Sequence, residues 1–294
     1  MSETFFLEGS EGNALAVDLR RAGPDAPVAL LMHGGGQTRH SWQGTAERLA
    51  AAGVTSLSVD ARGHGDSDWV ASEAYGFPRM AADLAAVARE VRCRFGPPIL
   101  VGASMGGLAG MLACHEDPNL FRALIFVDIT PRMEATGVER IMNFMAARAA
   151  EGFESVQEAA DAIAAYMPSR KRPSSLNGLS KNLRRRADGR WRWHWDPAFV
   201  SGPEPITAGG EDRAEGLFSE GLARVKAPIL LVRGSRSELV SEGAVEAFMA
   251  VAPHARFVDV SGAGHMVAGD RNDVFADAVI AFVRDVCSEV SSDR

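Results

Sequence analysis

Hydrophobic positions follow two periods along the first half of the chain. "TFFLEG" (4–9) and "ALAVDLR" (14–20) are short apolar segments with Gly9, Gly12 and Asn13 between them, the pattern of an antiparallel hairpin. From residue 27 the pattern changes. "PVALLMH" (27–33) is a continuous apolar run of strand length, and "VTSLSVD" (54–60), "PPILVG" (97–102) and "RALIFVDI" (122–129) read as further strands. Between them lie stretches of helical spacing: "SWQGTAERLAAAG" (41–53), "PRMAADLAAVAREVRCRFG" (78–96) and "SMGGLAGMLACHEDP" (104–118). Gly53 and Gly96 stand where the first two helices would stop. Apolar strands alternating with helices of this length predict a parallel sheet covered on both sides.

The alternation breaks at residue 132. Residues 132–222 contain helix-like segments such as "GVERIMNFMAARAAEG" and "SVQEAADAIAAYMPS", and no run that reads as a buried strand. "APILLVRG" (227–234) then resumes the sheet, "SEGAVEAFMAVAP" (241–253) reads as a helix, "ARFVDVSG" (255–262) as the last strand, and "NDVFADAVIAFVRDVCSEV" (272–290) as a closing helix. The expected architecture is an α/β core of about eight strands, formed by residues 1–131 and 223–294. A helical cap, 132–222, is inserted after the sixth strand, above the strand ends where open α/β sheets bind ligands.

Composition narrows the function without naming it. The chain has 294 residues and a net charge of -7, which argues against general nucleic-acid binding. Cys93, Cys114 and Cys287 are odd in number and far apart, the pattern of reduced thiols and not of a disulfide framework or a zinc site. "MSETFFLEGSEGN" has no apolar core of a secretory leader, and no apolar run approaches the ~20 residues that span a bilayer. A cytoplasmic protein that binds no membrane is the expectation.

Candidate chemistry centres on "GASMG" (102–106). This is a G-x-S-x-G pattern in the strand–turn–helix context that presents a nucleophile, Ser104, on a sharp elbow. Side chains at 102 and 106 would collide where strand and helix pass, so glycines stand there. A serine hydroxyl needs a base. Of seven histidines, His265 in "SGAGHMVAG" follows the last strand in a small-residue loop and is placed to reach Ser104. "HGGG" (33–36) follows the third strand; the N–H of one of Gly34, Gly35 and Gly36, with that of Met105, would receive a developing oxyanion. No G-x-G-x-x-G or G-K-[S/T] pattern supports a nucleotide loop, and no ligand spacing supports a metal.

Four segments, "HGGG" (33–36), "DARGHGDS" (60–67), "GASMGG" (102–107) and "GAGHMV" (262–267), run in an order that resembles the α/β-hydrolase superfamily, of the lidded serine esterase, lactonase and cofactor-free haloperoxidase type. The resemblance implies Ser104 as nucleophile, His265 as base, and the N–H groups of Gly35 and Met105 as oxyanion hole. It gives Asp60, Arg62 and His64 a bracing role. The family carries its acid after the seventh strand or, less often, after the sixth. These positions hold Glu238, in "LLVRGSRSELVSEG", and Asp128, in "FVDITPR". Glu238 is expected and Asp128 is the alternative, so Glu238→Gln should lower kcat more than Asp128→Asn.

The expected function is hydrolysis of a carboxylic ester or lactone through an acyl-enzyme, with no metal or organic cofactor. C–C bond hydrolysis, perhydrolysis and non-catalytic ligand binding remain alternatives on the same residues. The basic stretch 169–199, with Trp191, Trp193 and Trp195, reads as a solvated face whose tryptophans pack the cap, ahead of an anion-recognising lid. Trp42 is a candidate wall of the substrate pocket, as are Met105, Met133, Met142 and Met145, although helical packing explains the methionines equally. Oligomeric state has no signal.

Overall fold

A computed structural model describes residues 2–168, 176–208, 211–270 and 272–292. Its strands are β1 (Ser2–Glu8), β2 (Ala14–Arg20), β3 (Val28–Met32), β4 (Thr55–Val59), β5 (Ile99–Ala103), β6 (Ala123–Val127), β7 (Leu183–Arg185), β8 (Trp191–Trp193), β9 (Ile229–Gly234) and β10 (Arg256–Val260). Eight of them form one sheet in the order β1-β2-β4-β3-β5-β6-β9-β10. β1 and β2 pair antiparallel, as do β2 and β4; every later pairing is parallel.

The central parallel strands β3, β5 and β6 are apolar along their length because both faces are covered, whereas β4 carries three buried hydroxyl residues and the edge strand β10 is largely exposed. Leu30, Leu57, Leu100, Leu124 and Phe126 point into one core with the helices Phe77–Phe95 and Met105–Glu116. Ala29, Leu31, Ile99, Val101 and Ile125 point into the other, with Gln43–Ala51 and Asn272–Ser292. The chain builds β3 and β4 to one side and β5 and β6 to the other, so β3 and β5 are neighbours at the point where strand order reverses. Loops leaving the carboxyl ends of β3 and β5 therefore meet, although some 70 residues separate them (32 to 103).

Between β6 and β9 the chain forms the helices Ala135–Ala147, Val156–Tyr166 and Glu211–Arg224, with shorter turns. It also forms the antiparallel hairpin β7–β8, where sequence reading expected helices and loops only. Three-residue strands are too short to show a period, and Gly189, at φ +82°, supplies the turn. The boundary expected at residue 222 falls inside the helix Glu211–Arg224, whose Phe218 and Leu222 are buried in the main core. The first seven residues of the basic stretch 169–199 lie outside the described residues. Among the described residues no helix is long and apolar enough to cross a membrane.

Candidate active site

Ser104 links β5 directly to the helix Met105–Glu116. Its backbone lies at φ +46°, ψ -116°, a strained conformation for a side chain-bearing residue, and its N–H donates to Val127 O at 3.2 Å. The crossing is close. A Cβ on Gly102 would lie 2.7 Å from Gly107 Cα, and one on Gly106 would lie 2.6 Å from Met32 O. Only glycine fits at either position, and the hydroxyl is left at a helix N-terminus, where backbone N–H groups favour negative charge.

His265 follows β10 and is half-buried. Its Nδ1 lies 2.7 Å from Oδ2 of Asp128, a fully buried residue directly after β6. Asp128 is itself strained, at φ +49°. Its Oδ1 accepts from Gly234 N–H at 2.8 Å, and its Oδ2 also accepts from Ser237 Oγ at 2.6 Å. Three donors thus hold the carboxylate. The expectation that Glu238 meets the histidine is corrected here. Glu238 is engaged by the insertion instead: its Oε2 pairs with Arg140 Nη1 at 2.5 Å and its Oε1 accepts from Tyr166 OH at 3.2 Å. The turn after β9 does contribute, through Ser237, one residue before the glutamate. A serine paired to a carboxylate leaves no recognisable sequence signal.

The glycine loop after β3 divides its N–H groups. Gly34 donates to Gln37 Oε1 at 3.2 Å and Gly36 donates to His64 Nε2 at 3.1 Å. Neither the Gly35 N–H nor the Met105 N–H has a partner among the described residues. Two buried imidazoles hold this loop. His33 accepts from Ala61 N–H through Nε2 and donates from Nδ1 to Gly34 O; His64 donates from Nδ1 to Arg62 O. Burial pushes His33 down to about 4 and His64 down to about 3, and the neighbouring His33 ring adds to the effect on His64. Both are neutral at pH 7, each with one nitrogen donating and the other accepting.

The family model described as the Alpha/beta hydrolase family matches residues 29–278. The chain belongs to that family. An esterase of Mycobacterium tuberculosis is 32% identical over 276 residues, 92% of this chain and 86% of the esterase. A 2-(acetamidomethylene)succinate hydrolase of Mesorhizobium japonicum is 27% identical over 287 residues, 96% of each chain. Among solved structures, an E-2-(acetamidomethylene)succinate hydrolase superposes with a TM-score of 0.81 at 25% identity, covering 97% of this chain and 100% of its own.

In this alpha/beta hydrolase the "DARGHGDS" segment braces the loops, as expected. Asp60 accepts from Arg39 and from Asp66 N–H, while Arg62, fully buried, forms two 2.7 Å bonds to Asp83. Trp42 does not line the site, contrary to expectation. It is 2% exposed and packs on Phe275 of the closing helix, on the sheet face that holds Leu31 and Val101. The residues that do approach the glycine loop come from the insertion. A Cβ on Gly35 would lie 3.5 Å from Phe199, and one on Gly36 would lie 3.1 Å from Met145 and 3.6 Å from Trp195 Nε1. Phe199 had no distinguishing pattern in the sequence. Two of the tryptophans pack within the insertion, Trp193 on Phe144 and Phe153 and Trp195 edge-on to Phe199, and the backbone of Trp195 pairs with that of His64. The arginines beside them are engaged, Arg184 with Asp66 and Arg192 with Asp188 and Ala150 O.

Proposed function

We propose that this alpha/beta hydrolase cleaves a carboxylic ester, open-chain or cyclic, by a serine mechanism. Ser104 Oγ attacks the carbonyl carbon while His265 takes its proton. The oxyanion is received by the Gly35 and Met105 N–H groups. His265 returns the proton to the departing alkoxide, leaving an acyl-serine and a free alcohol. Water, deprotonated by His265, then attacks the acyl carbon, and the proton passes back to Ser104 as the acid departs. Asp128 keeps the imidazole in the tautomer that leaves Nε2 able to accept. The 2.7 Å contact between His265 Nδ1 and the buried Asp128 carries this reading. The segment between β6 and β9 serves as a cap: Met145 and Phe199 cover the glycine loop with apolar surface and favour an apolar group there, while Trp195 turns its Nε1 N–H toward Gly36.

The names of the similar proteins, an esterase and an amide-bearing succinate hydrolase, support acyl-type hydrolysis as the reaction class. Labelling with a fluorophosphonate probe and peptide mapping tests it. The expected adduct is on Ser104, and Ser104→Ala should abolish both labelling and turnover of p-nitrophenyl esters. Folded protein with no adduct on Ser104 would refute the nucleophile.

A further inference from the structure

Gln37 lies between the two loops that carry the site. Its Oε1 accepts the Gly34 N–H at 3.2 Å, which settles the orientation of the amide, because the opposite flip would set two donors face to face. The NH2 half therefore points away from Gly34. The contact made by Nε2 is with Sδ of Met266, at 3.0 Å, in the residue after His265. A thioether is a weak acceptor, and an amide nitrogen has two N–H groups to place. Gln37 is half-buried, so its donors are neither fully sealed nor fully in solvent. A Cβ on Gly34 would lie 3.3 Å from Ser104 Cβ and 3.5 Å from Gln37 Oε1, so the amide and Ser104 stand on the same side of Gly34.

We propose that Gln37 is a specificity-determining residue: its Nε2 donates a hydrogen bond to a second acceptor oxygen of the substrate, close to the scissile carbonyl. The preferred substrates are then oxygenated esters, carrying an alkoxy, hydroxyl or oxo group beside the ester, over their plain hydrocarbon counterparts. An acceptor in the substrate replaces the poor sulfur partner, whereas a methylene at the same place leaves the amide without one. This inference rests on the ester-hydrolase reading above.

Two isosteric pairs test it. p-Nitrophenyl methoxyacetate is compared with p-nitrophenyl butyrate, and 2-methoxyethyl butyrate with n-butyl butyrate. They place the extra oxygen on the acyl and the alcohol side respectively. In Gln37→Glu an oxygen can still accept from Gly34 N–H while the donor is gone; in Gln37→Leu both are gone. In at least one pair, Gln37→Glu should lower kcat/KM for the oxygenated member roughly five- to tenfold more than for its isostere, the size expected of one hydrogen bond. Gln37→Leu should show the same selective loss, superimposed on any common loss from a loosened glycine loop. Equal losses within both pairs, or none, would overturn the proposal and leave Gln37 a loop-positioning residue or one served by water. Wild-type enzyme that hydrolyses none of the four esters, with no fluorophosphonate adduct, would instead refute the ester-hydrolase reading itself.

Discussion

At the scale of single residues, the candidate site is built on two backbone strains and one buried carboxylate. Ser104 and Asp128 both sit at positive φ, each at a cost of ~1–3 kcal/mol that the surrounding core must hold. Asp128 is fully buried and bonded by Gly234, Ser237 and His265; Glu238 is spent on Arg140 and Tyr166. Asp128→Asn is therefore expected to lower kcat by ~10⁴, as loss of the correct histidine tautomer does, while Glu238→Gln stays within a few-fold of wild type. Steady-state kinetics on one p-nitrophenyl ester decides this, and the reverse ranking would return the role to Glu238. Ser237→Ala removes one donor from the Asp128 carboxylate and should fall between the two. Gly106→Ala tests the elbow: its Cβ would meet the Met32 carbonyl, so overpacking of ~1–3 kcal/mol and a drop in Ser104 labelling are expected.

Among elements, the glycine loop after β3 shows how a candidate oxyanion hole is kept open by neutral imidazoles. His64 Nε2 accepts from Gly36 only while unprotonated. The folded protein resists protonating His33 until about pH 4 and His64 until about pH 3, whereas an unfolded chain takes up those protons near the ordinary value of ~6.5. Between these limits the unfolded state binds more protons. Stability is then fully present above pH ~6.5 and falls as pH is lowered, by up to ~1.4 kcal/mol per pH unit for each histidine. Urea unfolding at pH 7 and pH 5 should show this loss. His64→Gln, which keeps an acceptor for Gly36 and cannot titrate, should remove about one histidine's share. An unchanged pH dependence in that variant would assign the effect to other groups. The insertion reads differently. Its long helices follow the 3.6 period visible in the sequence, but β7 and β8 are only three residues each and arise from pairing with one another.

Over the whole molecule, Arg62 joins the N-terminal hairpin, the loop after β4 and the long helix Phe77–Phe95, by bonding Glu11, Ala74 O and Asp83. Asp83→Asn leaves a buried guanidinium short of its counter-charge and should destabilise by ~3–5 kcal/mol, read as a lower urea midpoint with an unchanged m-value. The local pattern by itself determined the layered sheet, because the central strands β3, β5 and β6, buried on both faces, are apolar along their length. β2 (Ala14–Arg20) coincides with its apolar run, and β3 and β5 lie within a few residues of theirs. It also determined the sharp elbow at Ser104, because the glycines around it answer a steric demand between elements adjacent in the chain. Only the tertiary structure decided the rest. Whether Asp128 or Glu238 faces His265 depends on where the ends of β6 and β9 stand relative to a loop more than 25 residues beyond Glu238. Trp42 and Phe199 are both large and apolar; the fold packs Trp42 beneath the sheet on Phe275 and sets Phe199 against the glycine loop, a long-range outcome that no local pattern encodes.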